Sequence, residues 1–276
     1  MASALATTSP DLSADASLTP SPLSARFAAL RAAGRRALVC YMTAGHPDPA
    51  RSLALLRGLE AAGADVIEVG VPFSDPLADG PVIQRSSQTA IEHGMTLDRA
   101  LALIAEAKLT VPVVLFSYLN PLIAAGPDVL ARARTAGVAG VLVTDLPVGA
   151  DPSREAWFGA SGLDFVRLVA PTTPLARMRE IARHGGGFVY LISRNGVTGE
   201  QDALSTELPA IVARLREATT LPICIGFGIS TPEQARAAAL LGDGVVVGSA
   251  IVRAAERSVD EAIALTAALR QAIDAA

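Results

Sequence analysis

A carboxylate inside an apolar strand is the first candidate for chemistry in this sequence. Glu68 lies in the run Val66 to Val69, whose other residues indicate burial. An unpaired ionised carboxylate in such a place costs on the order of several kcal/mol. Two more acids, Asp75 and Asp79, follow in a loop that ends at Gly80-Pro81. Glu68 and Asp79 are therefore candidates for a working pair of acids.

Each of these acids also has a purely structural interpretation. Glu68 can be a buried carboxylate that backbone N–H groups or a hydroxyl satisfy. The sequence Ala78-Asp79-Gly80-Pro81 suits a turn and a helix N-cap, and Ser74-Asp75-Pro76 suits a turn in the same way. The acids taken singly leave both interpretations open.

Glycine-containing turns after the last two predicted strands are typical of phosphate binding. They are Gly226-Phe227-Gly228-Ile229-Ser230 and Gly248-Ser249, and each comes just before a predicted helix. Small residues let backbone N–H groups and the positive end of a helix approach an anion, and Ser249 adds a hydroxyl. A third glycine-rich loop follows the sixth predicted strand. The three loops together favour a phosphate site.

The segments that must position these groups alternate between short apolar runs and longer stretches of helical periodicity. The predicted strands are Ala37 to Met42, Asp65 to Val69, Pro112 to Phe116, Gly140 to Thr144, Phe165 to Ala170, Phe188 to Ile192, Pro222 to Gly226 and Gly244 to Val247. The predicted helices are 48–62, 81–92, 96–108, 127–136, 152–160, 174–184, 204–218, 231–240 and 249–274.

Eight strand and helix units predict a (β/α)8 TIM barrel with extra helices. A doubly wound open sheet is the alternative, and the lack of a GxGxxG turn after the first strand weakens it. Active sites of barrels lie at the carboxyl ends of the strands, which places Glu68 across the mouth from the two terminal glycine turns.

Composition limits the class of protein and its organisation. Of 276 residues, 51% are hydrophobic and 18% are charged, which suits one large core. We expect a single barrel domain over 23–276. Residues 1–22 are rich in Ala, Ser, Thr and Pro, and this composition predicts a disordered tail. A net charge of −4 without a basic block argues against nucleic-acid binding, and no apolar run reaches the length of about 18 residues that a membrane span needs.

The reactive side chains are few and scattered. Cys40 and Cys224 lie in predicted strands without metal-ligand spacing, which indicates a reducing, cytoplasmic compartment. The three histidines are far apart, so we expect no metal, and His46 is expected to lie in solvent. The one lysine, Lys108, falls near the end of a predicted surface helix, so we expect no Schiff base.

Four stretches of the chain resemble the tryptophan synthase alpha chain family. They are EVGVPFSDPLADGPVIQ (68–84), LISRNGVTG (191–199), GFGIS (226–230) and GSAIV (248–252). The resemblance extends over about residues 24 to 275. It implies a barrel enzyme, a carbon–carbon lyase that cleaves indole-3-glycerol phosphate to indole and glyceraldehyde 3-phosphate without a cofactor.

The resemblance also implies roles for particular residues. Glu68 and Asp79 match the two catalytic acids, and Tyr190 matches a tyrosine of the active site. The groups that match those holding the substrate phosphate are Gly199, Gly228, Gly248 and Ser249. The positions that match surface facing the beta chain in an α2β2 heterotetramer are Pro72, Asp75, Asn120 and Pro121. The long tail and His46, where many members carry an acid, depart from the family pattern.

The chemistry of the implied reaction explains why two acids are needed. In this retro-aldol step the ring carbon C3 gains a proton, and the side-chain hydroxyl loses one as the carbonyl forms. We expect Glu68 to act first as the acid and then as the base, with a pKa that burial holds up. We expect Asp79, as a carboxylate, to accept the indole N–H and to stabilise the positive charge that develops there.

Three other functions are weighed against this one. A phosphate-binding isomerase that opens a sugar ring would use Cys40 as its base and would leave Glu68 without a role. An enzyme that forms the indole ring by decarboxylation is expected to need a catalytic lysine. A regulatory subunit without activity is expected to have lost at least one of the acids, and Glu68 and Asp79 are both present.

Overall fold

The strands of the protein form a closed parallel barrel. The computed structural model describes residues 20–192, 206–226 and 228–276. The strands in chain order are β1 (Ala37–Thr43), β2 (Val66–Gly70), β3 (Val113–Ser117), β4 (Val138–Val143), β5 (Asp164–Val169), β6 (Val189–Ile192), β7 (Ile223–Gly226) and β8 (Gly244–Val247). Each strand pairs with its neighbour in sequence, and β1 closes the barrel against β8 through pairs such as Ala37 with Gly244. The predicted TIM barrel is confirmed.

Alternation along each strand divides the side chains between the barrel interior and the layer of helices. In β2, Val66 belongs to the interior cluster, whereas Ile67 and Val69 pack in the larger cluster that includes helix residues. Glu68 therefore points inward, as Val66 does, one layer closer to the carboxyl end of the strand.

Twelve helices surround the barrel within the described residues. They are α1 (Pro22–Ala32), α2 (Pro49–Ala61), α3 (Pro81–Glu92), α4 (Leu97–Ala107), α5 (Leu119–Ala124), α6 (Val129–Thr135), α7 (Pro152–Gly159), α8 (Leu175–Arg183), α9 (Leu208–Arg216), α10 (Pro232–Ala239), α11 (Ser249–Arg257) and α12 (Val259–Asp274). Within these same ranges, no helix combines the length and the apolar character that crossing a membrane requires.

The single helix predicted over 249–274 is wrong, because the structure has two helices there. Ser258 adopts an extended backbone, with φ −159° and ψ 154°, between α11 and α12. Its hydroxyl accepts a hydrogen bond from the Glu261 N–H at 3.1 Å and so caps α12. The helical periodicity of the apolar residues continues across this break, which is why the pattern alone does not reveal it.

Helix α1, which the sequence patterns did not predict, closes the amino-terminal end of the barrel. Its residues Leu23, Phe27 and Leu30 are buried and belong to the interior cluster. The Phe27 ring lies 5.5 Å from the ring of Phe188, measured between centroids. Because α1 covers this end, the interior opens to solvent at the carboxyl ends of the strands.

An ion cluster around Asp65 ties α1 and α12 to the barrel. Asp65 directly precedes β2 and is 1% exposed. Its carboxylate contacts Arg26 of α1 at 2.6 Å and Arg270 of α12 at 2.7 Å, and it accepts the Leu38 N–H at 2.9 Å. Each oxygen thus has a charged partner, which is the condition for burying an acid at this depth.

We predict that Asp65→Ala lowers the free energy of unfolding by about 3–5 kcal/mol, because it leaves the buried Arg270 guanidinium and the Leu38 N–H without this partner. Urea unfolding followed by circular dichroism measures the loss. Asp98→Ala is the control. The Asp98 side chain that pairs with Arg132 is exposed, so this ion pair is expected to contribute under about 1 kcal/mol. Equal losses in the two variants would contradict the prediction.

Candidate active site

Glu68 lies buried at the mouth of the barrel, between β1 and β3. It pairs with Tyr41 on one side and with Val114 on the other, and it is 1% exposed. Its Oε1 atom is buried and has no hydrogen-bond partner in the part of the chain that the structure describes. Burial raises the pKa of Glu68 to about 8. Glu68 is therefore an uncharged acid at neutral pH, and it still has an oxygen free for a ligand.

Asp79 belongs to the loop 71–80 between β2 and α3, and its carboxylate is held by a side chain from another strand. The Tyr118 hydroxyl donates to Asp79 Oδ2 at 3.0 Å. Burial raises the pKa of Asp79 to about 6, and the Tyr118 hydrogen bond opposes this rise. Asp79 is therefore mostly ionised at neutral pH, whereas Glu68 is mostly protonated.

The structural interpretation of Asp79 as a helix cap is wrong. The N-cap of α3 is Gly80, and no side chain caps this helix. The Asp79 N–H donates to the Pro76 carbonyl at 3.0 Å, and the Gln84 side-chain amide donates to the Asp79 carbonyl at 2.9 Å. These contacts fix the backbone of Asp79 and leave its carboxyl group to face Tyr118.

Two tyrosines flank the acids, and each rests on a glycine at the end of a strand. A Cβ atom on Gly70 would lie 2.1 Å from the Tyr41 hydroxyl, and one on Gly226 would lie 2.5 Å from the Tyr190 hydroxyl. The absence of side chains at these glycines gives both phenols room in the mouth. Burial, followed by the charges of nearby acids including Glu68 and Asp79, raises the pKa of both phenols. The predicted site residue Tyr190 thus has its hydroxyl beside Gly226, at the carboxyl end of β7.

Apolar side chains line the rest of the mouth, and the sequence patterns did not single them out. Tyr41 and Phe116 pack edge to face with ring centroids 5.2 Å apart. Leu168 and Ile192 are partly buried against the interior cluster. Side chains alternate along a strand, so Tyr41 faces inward two residues after the interior residue Val39, and Phe116 does so two residues after Val114. The alternation could therefore have identified both residues from the sequence. The mouth suits a flat apolar ring.

The glycine turns lie at the same end of the barrel. Gly228 is exposed and has a φ of +87°, which favours glycine. Gly248 precedes α11, which has no side-chain cap, and Ser249 is its first, exposed residue. A Cβ on Gly248 would lie 3.4 Å from the Cβ of Tyr41, so this turn faces the mouth. Gly199 lies outside the described residues.

The residues expected at a partner surface lie on two adjacent segments beside the mouth. Asp75 and Asn120 are exposed, Pro121 is partly exposed and Pro72 is buried. The Ala78 N–H donates to the Tyr118 hydroxyl at 2.9 Å and so joins the 71–80 loop to the start of α5. Two large apolar side chains are exposed on these segments, namely Leu77 at 81% and Ile123 at 39%.

Other reactive side chains lie away from this chemistry. Cys40 is fully buried in the cluster between the sheet and the helices, so it faces away from the barrel interior, which argues against a role as the base of an isomerase. Burial also raises its pKa. Lys108 follows α4 and precedes β3, and therefore lies at the opposite end of the barrel. Among the described residues, no group of three or more His, Cys, Asp or Glu side chains is arranged to hold a metal ion.

The expectation that His46 lies in solvent is wrong. His46 is 5% exposed, and its N–H donates to the Thr43 carbonyl at 3.2 Å. The loop after β1 turns inward against Met95, whose side chain would lie 2.7 Å from a Cβ on Gly45. Burial lowers the pKa of His46, so this histidine packs as a neutral side chain.

Comparison with known proteins gives a consistent result. The family model of the tryptophan synthase alpha chain matches residues 27–275. A tryptophan synthase alpha chain from Gluconacetobacter diazotrophicus is 48% identical over 244 residues, covering 87% of this chain and 89% of the relative. One from Desulfatibacillum aliphaticivorans is 45% identical over 237 residues, covering 85% and 89% respectively.

Solved structures agree with the sequence relatives. The tryptophan synthase subunit alpha from Legionella pneumophila str. Paris superposes with a TM-score of 0.83 at 33% identity, covering 94% of this chain and 100% of that chain. Tryptophan synthase from M. tuberculosis, in an aminoacrylate-bound form, superposes with a TM-score of 0.83 at 32% identity, covering 92% and 99% respectively.

We predict that Glu68→Gln removes a pH dependence of stability. Between the ordinary carboxyl pKa of 4.5 and the folded value of about 8, native Glu68 holds a proton that the unfolded chain releases. Its contribution to the free energy of unfolding therefore falls as pH rises, by up to about 1.4 kcal/mol per pH unit. Glutamine is neutral throughout, so the variant should become progressively more stable relative to the parent protein from pH 5 to pH 8.

Urea unfolding at pH 5, 6.5 and 8 measures this trend. Glu106 is exposed on α4, so Glu106→Gln serves as the matched control and should keep a constant difference from the parent protein. A constant difference for Glu68→Gln as well would show that the Glu68 carboxyl group is not desolvated in the folded state.

Proposed function

The chain belongs to the tryptophan synthase alpha chain family, and we propose that Glu68 and Asp79 are the two acids of its reaction. The protein is a lyase that cleaves indole-3-glycerol phosphate to indole and glyceraldehyde 3-phosphate. The observation that carries the assignment is the setting of the two acids at the open end of the barrel, where Glu68 Oε1 is buried without a hydrogen-bond partner among the described residues and Tyr118 donates to Asp79 Oδ2. Burial gives Glu68 a pKa of about 8 and Asp79 one of about 6, so one is an acid and the other a carboxylate at neutral pH.

Glu68 moves the proton in this mechanism. Its carboxyl group first donates a proton to indole C3, which gives an indoleninium. The resulting carboxylate then takes the proton of the glycerol hydroxyl while the carbon–carbon bond breaks and the carbonyl forms. The bonding electrons return to the indole ring, so Glu68 ends the cycle protonated, as it began. The unpartnered Oε1 atom is the position from which this transfer takes place.

Asp79 stabilises the charge that the transfer creates. Its carboxylate accepts the indole N–H, and this contact strengthens as the nitrogen becomes positive in the indoleninium. The site is partly desolvated, which increases the strength of such a contact relative to water. Tyr118 holds Oδ2, so Oδ1 is the oxygen left for the substrate.

The remaining residues bind the two ends of the substrate. Tyr41, Phe116 and Tyr190 form the walls against which the indole ring packs. The backbone N–H groups around Gly228 and at the start of α11, with the Ser249 hydroxyl, bind the phosphate. Gly199 is assigned to the same phosphate site on the resemblance alone.

The partner of a tryptophan synthase alpha chain is the beta chain, and we propose an α2β2 heterotetramer here. The surface assigned to the beta chain comprises Pro72, Asp75, Asn120 and Pro121. The exposed side chains Leu77 and Ile123 support this assignment, because they lie on the two segments that the Ala78 to Tyr118 hydrogen bond joins, and burying them would favour association. The free cysteines Cys40 and Cys224 support a cytoplasmic location, which fractionation of the source cells would test.

We predict that Glu68→Gln and Asp79→Asn each lower indole release from indole-3-glycerol phosphate by about 10²–10⁴-fold, since each removes one of the two acid functions. Both substitutions keep the size of the side chain, so far-UV circular dichroism should not change. Glu106→Gln, on the surface of α4, should keep the parent rate. Undiminished turnover in either acid variant would remove that acid from the mechanism.

The proposed assembly is tested by mass. Size-exclusion chromatography with light scattering, on the protein mixed with a beta chain, should give the mass of two chains of each kind. Asn120→Arg should weaken the complex, because it introduces a bulky charge on the assigned surface. The mass of a 1:1 pair at micromolar concentration would exclude the heterotetramer, and no mass increase would exclude the partner surface.

A further inference from the structure

Tyr118 is the side chain that connects the proposed carboxylate Asp79 to the sheet. Its hydroxyl donates to Asp79 Oδ2 at 3.0 Å and accepts the Ala78 N–H at 2.9 Å. The side chain is 5% exposed, so water does not compete freely for these bonds. One hydroxyl therefore holds both the carboxylate and the backbone next to it.

We propose that Tyr118 is a positioning residue for the lyase reaction, which fixes the direction of the Asp79 carboxylate toward the indole nitrogen. This inference rests on the proposed function of Asp79. The backbone bonds of Asp79 to Pro76 and Gln84 fix its main chain, but they leave rotation about the side-chain bonds free. Within the described ranges, the Asp79 carboxyl group accepts its hydrogen bond from the Tyr118 hydroxyl.

The Tyr118 hydroxyl is itself held in place by the barrel. Tyr118 directly follows β3, whose last residue Ser117 pairs with β4, and it directly precedes α5. Its ring packs on Phe73 with centroids 5.1 Å apart. The next N–H, that of Leu119, donates to Asp145 Oδ1 at 2.8 Å. The acid on a ten-residue loop thus takes its position from the sheet, which is the most rigid part of the fold.

The same bond favours the ionised state of Asp79. A hydroxyl that donates to a carboxylate stabilises the charged form, whereas burial favours the neutral form. Burial, and then the charge of Asp79, raises the pKa of Tyr118, so the phenol keeps its proton and remains a donor. Loss of the hydroxyl should therefore raise the pKa of Asp79 further as well as freeing its carboxyl group.

Tyr118→Phe tests the inference because it keeps the ring that packs on Phe73 and removes only the hydroxyl. The expected result is a fall in kcat of about 10–100-fold with KM within about threefold, since Asp79 acts in the transition state. The acid limb of the kcat against pH profile should move upward by about one pH unit. The phosphate of the substrate titrates identically with both proteins, so the shift between their profiles reports the enzyme.

Two comparisons separate positioning from a structural role. Thr266→Val removes a buried hydroxyl of α12 that donates to the Ala262 carbonyl at 2.8 Å, away from the mouth, so its acid limb should stay at the pH of the parent protein. In an Asp79→Asn background, Tyr118→Phe should cause little further loss, because the group it positions is already altered. An equal fall in both backgrounds, or a parent-like kcat and acid limb in Tyr118→Phe, would overturn the inference.

The outcomes also distinguish this inference from the proposed function. Parent-like turnover in Asp79→Asn would defeat the proposed function of Asp79 and with it the role of Tyr118. Loss of turnover in Asp79→Asn together with a parent-like Tyr118→Phe would leave the proposed function in place and defeat the inference alone. Circular dichroism and the thermal midpoint confirm that Tyr118→Phe is folded before its kinetics are compared.

Discussion

Desolvation of the Glu68 carboxyl group is the constraint on which the proposed chemistry of this barrel depends. In water this group would be ionised at neutral pH and unable to give a proton to a carbon atom. Between β1 and β3 it is 1% exposed, and its pKa of about 8 keeps the proton on. In the proposed mechanism, the surrounding apolar layer therefore acts on the proton of Glu68 as well as forming part of the core. A counter-ion beside Glu68 would help folding, but it would remove the acid.

Two buried acids near β2, Asp65 and Glu68, have opposite electrostatic surroundings. Asp65 is as deeply buried as Glu68, but arginines from α1 and α12 meet both of its oxygens. It lies at the amino-terminal end of β2, where α1 closes the barrel. Glu68 lies toward the open end of the same strand, and no residue of 20–192, 206–226 or 228–276 forms a hydrogen bond with its Oε1 atom. A carboxylate is thus paired with arginines at one end of this short strand and lies without them at the other, and the direction of the strand decides which acid faces the open mouth, where we propose that the substrate binds.

Long apolar runs made the barrel predictable, because a strand buried on both faces carries its signal in consecutive residues. Alternation along β2 is consistent with this, because Glu68 shares the inward face with Val66. Other features depend on contacts between distant parts of the chain. Nothing near Asp79 indicates that its partner is Tyr118, which comes from the next strand, and the residues around Asp79 equally suit a helix cap. Ser258 breaks a helix without breaking the apolar period, and His46 is buried by a loop that packs on Met95.

Closure of the sheet through β1 and β8 has a consequence for how the protein acquires its activity. Ala37 pairs with Gly244, so β1 gains its second neighbouring strand only after β8 has been synthesised and has folded against it. Contacts of such long sequence separation form late and slowly. The ribosome synthesises Glu68 early, whereas it adds Gly248 only after the last strand, β8. A nascent chain can therefore carry its proposed catalytic acids long before the proposed phosphate turn exists, and its open sheet edges are then exposed to chaperones and to aggregation.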